Sequence, residues 1–328
     1  MQPFGFVQPH DLPSAIGLLA RGENTMPIAG GTDMIQLLQD SVIAPNDLMD
    51  LNDLGLAGIE DDGGGLRIGA LTRLSEIAAD ETIRTRFPVL AASLRETASP
   101  QVRHQATAGG NLLQRTRCLY FRDVATPCNK RDRGSGCPAQ DGQNRMGAIL
   151  GGSPHCIAAY PGDMANALVV LDAELELAGP EGKRRILVET LHREPGDAPD
   201  IETNLRPGEI ITAILLPVTP RARNSHYLKI RDRASFEWPL VSVALAFDSA
   251  EDGTIRSARL CAGAVGTRPW RLRRVEQRLS GGKLEQSTAA NAADAAAEGA
   301  DPRPGNAFKV TLLRNAVERV LLMAGGLA

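Results

Sequence analysis

Met26-Pro-Ile-Ala-Gly-Gly-Thr-Asp-Met34 decides how the N-terminal part of the chain is read: a short apolar run enters paired glycines, and a helix-forming stretch leaves them. Upstream, residues 4–7 read as a short strand. Asp11-Leu-Pro-Ser14 opens a helix that carries Ala15, Ile16, Leu18 and Leu19, and Gly22 stands just past Arg21 as its stop. Downstream, Met34, Leu37 and Leu38 share one face of a second helix, and residues 48–51 read as a strand. Residues 1–55 therefore form a β-α-β-α-β unit with a glycine turn after its second strand. Paired glycines let the backbone come close to an anion and turn N–H groups toward it. The N-terminal N–H groups of the helix that follows add to that attraction, and Thr32 supplies a hydroxyl donor.

A second turn, Thr107-Ala-Gly-Gly-Asn111, repeats the pattern with Asn111 as the polar residue. Two such loops suit the diphosphate of a dinucleotide better than a single phosphate. Neither is a G-x-G-x-x-G fingerprint or a P-loop, so the Rossmann and ATPase readings lack their motifs. A Gly-Gly pair alone is also an ordinary turn.

Between the turns and beyond them the pattern is mixed. Residues 66–70 read as a strand, Thr72 as an N-cap with Glu76 behind it, and residues 88–97 as a helix. A loop-rich stretch runs from 99 to 163, and strands are expected at 168–170, 173–177, 185–188 and 210–215. Past Pro220, three strands are expected at 227–230, 241–247 and 255–261, with Asp252-Gly253 as the hairpin turn between the last two. Helices are expected at 270–279, 283–298 and 308–323, the last amphipathic through Val310, Leu313, Val317, Val320 and Leu321. Irregular alternation of strands and helices indicates an α+β fold, with units at 1–55, 56–219 and 220–328.

Composition excludes several classes. The formal net charge of -3 lacks the basic footprint of a nucleic-acid binder, and 4% aromatic content leaves few stacking platforms for bases. No stretch approaches the roughly 20 apolar residues that span a bilayer. The first ten residues have neither a basic region nor an apolar core of a signal peptide, so the expectation is a cytoplasmic protein. Export in complex with a signal-bearing partner stays open.

Cys118, Cys128, Cys137 and Cys156 fall in one window, separated by nine, eight and eighteen residues. Four thiolates hold a [4Fe–4S] or [2Fe–2S] cluster or a structural zinc, and disulfides are a further use. The spacing is neither the ferredoxin ladder nor a zinc finger, so it does not choose between them. Arg115, Arg117, Arg122, Lys130, Arg131, Arg133 and Arg145 outnumber the nearby Asp123, Asp132 and Asp141. Such positive charge favours thiolates and offsets the negative charge of a ligated cluster; it also suits a partner surface. Gly134, Gly136 and Gly142 allow a loop to wrap a compact centre. Cys261, on an apolar strand, reads as a small buried hydrophobe, and His155 as a loop residue.

Four motifs occur in order: Ala29-Gly-Gly-Thr-Asp33, Thr107-Ala-Gly-Gly-Asn111, Tyr160-Pro-Gly-Asp-Met164 and Tyr227-Leu-Lys-Ile230. Together with Gly263-Ala-Val-Gly-Thr-Arg-Pro-Trp-Arg271 they resemble the FAD-binding medium subunits of the xanthine dehydrogenase, or molybdenum hydroxylase, family. The resemblance covers essentially the whole chain. It implies a two-part FAD-binding domain of the vanillyl-alcohol oxidase/p-cresol methylhydroxylase type, followed by a C-terminal domain with a three-stranded sheet and helices. Pro27, Ile28, Ala29, Gly30, Gly31, Thr32, Asp33 and Met34, with Thr107, Gly109, Gly110 and Asn111, would hold the FAD pyrophosphate. Asp163 would contact FAD, and Ile211 and Lys229 would flank its isoalloxazine ring.

The segment from Asn111 to Cys156 resembles the variant in bacterial three-subunit aldehyde oxidoreductases, whose FAD subunit carries a [4Fe–4S] cluster. On that resemblance Cys118, Cys128, Cys137 and Cys156 are its ligands. The implied partners are a large molybdenum-cofactor subunit, a small [2Fe–2S] subunit and an external electron acceptor. Other expectations remain: a xanthine, carbon monoxide or hydroxybenzoyl-CoA enzyme on the same architecture, a flavin-free zinc-braced assembly module, or a FAD enzyme acting alone.

Overall fold

The computed structural model describes residues 1–327. Three sheets follow one another along the chain. The first is parallel, with β1 (Gly5–Val7), β2 (Thr25–Ile28) and β3 (Asp47–Asp50) in the order β1-β3-β2. The helices Leu12–Ala20 and Met34–Gln39 make its two crossovers. Asp11 caps the first by accepting from the Ser14 N–H, with Pro13 in the opening turn where no donor is needed. Gly22, at φ +70°, supplies the left-handed residue that ends it.

The second sheet is antiparallel: β4 (Ile59–Asp62), β5 (Gly65–Gly69), β6 (Glu174–Gly179), β7 (Gly182–Leu187) and β8 (Ile210–Leu216) in the order β4-β5-β8-β6-β7. Helices Leu74–Ala79, Pro88–Arg95 and Met164–Val170 contribute to the main core with it. The third sheet, β9 (Ser225–Ile230), β10 (Val241–Ser249), β11 (Ile255–Gly263) and β12 (Trp270–Arg271), is antiparallel in the order β12-β11-β10-β9.

Alternation along β10 separates its two faces. Val241, Val243 and Leu245 pack in a core with Val317, Val320 and Leu321 of the helix Phe308–Ala324, whereas Ala244 and Ala246 join the main core. Cys261 is fully buried in that main core, as a small hydrophobe.

Several local expectations are corrected. Residues 168–170 are not a strand but the end of the helix Met164–Val170, all of whose residues are buried. A short apolar run buried on every side carries no stripe from which its period can be read. Thr72 is not the N-cap: Arg73 is, with Glu76 accepting from its N–H, while the Thr72 hydroxyl bonds both backbone groups of Gly58. The C-terminal sheet has four strands, because Trp270 and Arg271 pair with Ala262 and Cys261 before the helix Arg273–Leu279 begins. The helix expected at 283–298 spans only Gln286–Ala293. Within the loop-rich stretch stand the short helices Pro100–Gln105, Ala108–Leu112 and Leu119–Arg122, so the second glycine pair lies inside one turn of helix.

Candidate functional site

The two glycine turns meet. A Cβ on Gly30 would lie 2.0 Å from the Gln105 carbonyl oxygen and 3.1 Å from Ala106 Cα, so only glycine fits where the first turn presses on the approach to the second. Gly31, at φ +68°, makes the bend into the helix Met34–Gln39. The contact is tied from the side: Arg73 donates to Asn52 Oδ1 and to the Gln105 carbonyl, and Asn52 donates to the Ala29 carbonyl. The N–H groups of Gly30, Gly31, Thr32 and Asp33 donate to no backbone acceptor among the described residues.

The second turn is only partly open. The Gly109 N–H donates to the Ala70 carbonyl at 2.8 Å, and a Cβ there would crowd Ala70 Cβ at 3.1 Å. Beside it, the Thr107 hydroxyl and the Asn111 amide oxygen are buried without a hydrogen-bond partner. Leaving a buried polar atom unpaired costs about 1–3 kcal/mol, and a ligand that completes the pairing explains why both are kept. A Cβ on Gly110 would come within 2.9 Å of the Thr107 hydroxyl.

Asp33 does not turn its carboxylate to this turn's open N–H groups. It accepts from the Arg115 N–H at 2.8 Å, from Arg122 at 2.8 Å and from Arg117. Burial opposes its charge, yet Arg117 and the other donors hold its carboxyl below the usual range. Asp33 thereby joins the first glycine turn to the start of the cysteine segment.

The other basic residues of that segment are also paired rather than free. Arg115 and Lys130 both bind Glu202, Arg133 binds Asp200, Arg145 binds Asp232, and Arg131 donates to the carbonyls of Tyr120, Phe121 and Thr126. They staple the segment to the rest of the fold.

Cys118, Cys128, Cys137 and Cys156 line one cavity of about 10 Å³ for a water-sized sphere. All are free of disulfides. Burial pushes the Cys156 thiol up to about 11, with Lys130 pulling against it, and raises Cys118 and Cys137 as well. Among the described residues no group of three or more His, Cys, Asp or Glu side chains is arranged to hold a metal ion. The sulfurs thus face one space without closing on a point.

Asp163 and Lys229 form a buried ion pair at 2.8 Å. Tyr227 and Thr97 also donate to the carboxylate, and Lys229 donates to the Glu96 carbonyl. Ile211 lies in the main core, opposite Leu177. Sequence reasoning missed a second cavity of about 240 Å³, whose walls include Arg117, Cys118, Tyr160, Pro161 and Trp238. No local signal announces it, since its walls come from five separate stretches of chain. Among the described residues no helix is long and apolar enough to cross a membrane.

Comparison with known proteins agrees with this arrangement. Residues 2–219 match the family described as FAD binding domain in molybdopterin dehydrogenase, and residues 226–324 match the CO dehydrogenase flavoprotein C-terminal domain. The chain is 45% identical over 299 residues, 90% of each chain, to the aldehyde oxidoreductase FAD-binding subunit PaoB of Escherichia coli strain K12. It is 26% identical, over 98% of its length and 96% of the relative's, to the glyceraldehyde dehydrogenase medium chain of Sulfolobus acidocaldarius. In fold it is similar to a chain of quinoline 2-oxidoreductase from Pseudomonas putida 86, with a TM-score of 0.76 at 24% identity, covering 99% of this chain and 98% of that one. A chain of the Cu,Mo-CO dehydrogenase gives a TM-score of 0.77 at 22% identity with full coverage of both. The protein belongs to the FAD-binding subunits of the molybdenum hydroxylase family, oxidoreductase subunits that work within multi-subunit complexes.

Proposed function

We propose that this chain is the FAD- and [4Fe–4S]-carrying electron-transfer subunit of a molybdenum-dependent aldehyde oxidoreductase. The observation that carries the reading is the convergence of Cys118, Cys128, Cys137 and Cys156, distant in sequence, on one cavity. Four sulfurs around a single zinc sit about 2.3 Å from it and leave no void between them. Among the described residues no such single-ion site is formed; the [4Fe–4S] assignment rests on the resemblance of the segment and on the cavity the four cysteines share. The 45% identity to an aldehyde oxidoreductase subunit favours aldehydes over the substrates of more distant relatives. The flavin-free zinc module loses its ground with the FAD-binding family match.

In this reading the open N–H groups from Gly30 to Asp33, the Thr107 hydroxyl and Asn111 take the FAD diphosphate. Pro27, Ile28, Ala29 and Met34 frame the turn, and Gly109 and Gly110 keep the second turn close. Asp33 acts through its arginines, fixing the turn's shape. Asp163, Ile211 and Lys229 belong to the FAD side of the site by resemblance; the Asp163–Lys229 pair gives that side a neutral, rigid wall. FAD supplies the two-electron chemistry; the chain's own residues orient it and exclude water.

The partners in this reading are a large molybdenum-cofactor subunit and a small [2Fe–2S] subunit, with an external acceptor downstream. The compartment is cytoplasmic, or periplasmic if a partner carries the export signal. The test is anaerobic addition of an aromatic or aliphatic aldehyde to the co-purified complex. Bleaching of the flavin band, and its return with an acceptor, is expected. A flavin that stays oxidised while the molybdenum site turns over would reject the reading.

A further inference from the structure

Asn129 directly follows Cys128, is only 5% exposed and lines the cavity that the four cysteines share. Its side-chain oxygen accepts from the Gly136 N–H at 2.8 Å and from the Gly134 N–H at 3.0 Å. Its side-chain nitrogen donates to the His155 carbonyl at 2.9 Å. The Asn129 backbone N–H donates to the Gly136 carbonyl, also at 2.9 Å. Gly136 precedes Cys137, and His155 precedes Cys156. One residue thus joins the neighbours of three cysteines that come from separate loops.

The partners account for the residue types. An asparagine amide presents an acceptor and a donor at one flat end, and the two N–H groups and one carbonyl around it fix which is which. Gly134 and Gly136 stand at φ +94° and +113°, left-handed backbone that lets both N–H groups point at one oxygen. An aspartate at this position would set a carboxylate oxygen against the His155 carbonyl, two acceptors facing each other. The fourth loop is held by a different side chain. Cys118 stands at the start of the helix Leu119–Arg122, and Arg131 donates to the carbonyls of Tyr120, Phe121 and Thr126.

We propose that Asn129 is the positioning residue of the iron–sulfur site, holding the loops of Cys128, Cys137 and Cys156 together before any metal enters. The inference rests on the reading of the four cysteines as cluster ligands. It gives Asn129 no bond to iron, since its amide faces backbone partners. Without this brace the three loops meet through the metal alone, so each release of iron lets the sulfurs drift apart and slows its return.

The test uses the assembled complex with wild-type, Asn129→Asp and Asn129→Ser chains. FAD content is measured first, as a control for assembly, and is expected to be unchanged. Iron release to a chelator is then followed anaerobically, and the phase that belongs to this chain is the one Cys156→Ser abolishes. Both variants are expected to release that iron about tenfold faster, the scale on which one buried hydrogen bond acts. In the metal-free complex, thiol labelling read by mass spectrometry is expected to accelerate at Cys128, Cys137 and Cys156 and to stay near wild type at Cys118. Serine adds no charge, which guards against an aspartate variant that fails to assemble. Wild-type release and labelling in both variants would overturn the role of Asn129 alone. Equal acceleration at all four cysteines, the mark of a segment loosened as a whole, would overturn it too. A wild-type complex with no iron phase sensitive to Cys156→Ser would overturn both this inference and the reading of the cysteines beneath it.

Discussion

The guanidinium carbon of Arg117 stands 4.1 Å from the centre of the Trp238 ring while its Nη1 holds Asp33. One side chain therefore links the first glycine turn, the loop after β9 and the residue next to Cys118. Burial lowers the affinity of Arg117 for its proton, and Asp33 opposes that loss only in part.

That link predicts the behaviour of Asp33→Asn. Removing one member of a buried pair costs about 3–5 kcal/mol, because the other charge is left unmatched. Denaturant titration is expected to show a loss of that order, and gel filtration a protein that sheds FAD. A variant with wild-type stability would mean that Arg117 and Arg122 find other partners.

The orphaned hydroxyl of Thr107 predicts the opposite balance. Thr107→Val removes a polar atom that the protein leaves unpaired, so the stability of the FAD-free chain is expected to hold or rise. FAD affinity is expected to fall by about tenfold, the worth of one hydrogen bond at the upper end of its range. Gly110→Ala is expected to act the same way, since the new methyl would press on that hydroxyl at 2.9 Å. Gly30→Ala should cost stability as well, because the obstacle is backbone.

How far these features were legible in the sequence differs between fold and site. The N-terminal unit was readable because caps, glycine stops and alternating apolar runs agree there. Met164–Val170 was misread because burial on all sides erases periodicity, and the two-residue strand Trp270–Arg271 is too short to carry any. At the site, the glycine turns and the four cysteines are visible as residue types. Their convergence is a property of the folded chain, as are the carboxylates that pair most of the arginines: Asp33, Glu202, Asp200 and Asp232 lie far from the cysteine window in sequence. Asn129 is one polar residue among many in a loop; only its partners set it apart.

His192 gives a prediction in pH. Its ring is buried beside Tyr160 with centroids 4.2 Å apart, and one nitrogen bonds the Leu112 carbonyl at 2.9 Å. Burial holds its folded pKa down to about 4, against 6.5 when exposed. Between those values the unfolded chain binds more protons than the folded one, so stability rises with pH across the window from 4 to 6.5. His192→Gln is expected to flatten this part of the profile by up to about 3 kcal/mol between its ends. Parallel stability curves for the two proteins, from denaturant midpoints at pH 4.5 and 7, would contradict it.

The cysteines make separable predictions. Cys118→Ser, Cys128→Ser, Cys137→Ser and Cys156→Ser are each expected to lose most of the iron, because all four face the same cavity. Cys261→Ser is expected to keep it, since that thiol is enclosed in the main core away from the others. Iron retained in all four single variants would show that the segment binds no cluster through these residues.

The central claim is that one chain carries a flavin and an iron–sulfur centre side by side. Stoichiometric analysis of the anaerobically purified complex for FAD, iron, acid-labile sulfide and zinc, with the partner subunits' contribution subtracted, tests it most directly. The account predicts one FAD and about four irons with matching sulfide assigned to this chain. FAD accompanied by a single zinc, or by no metal at these cysteines, would contradict it.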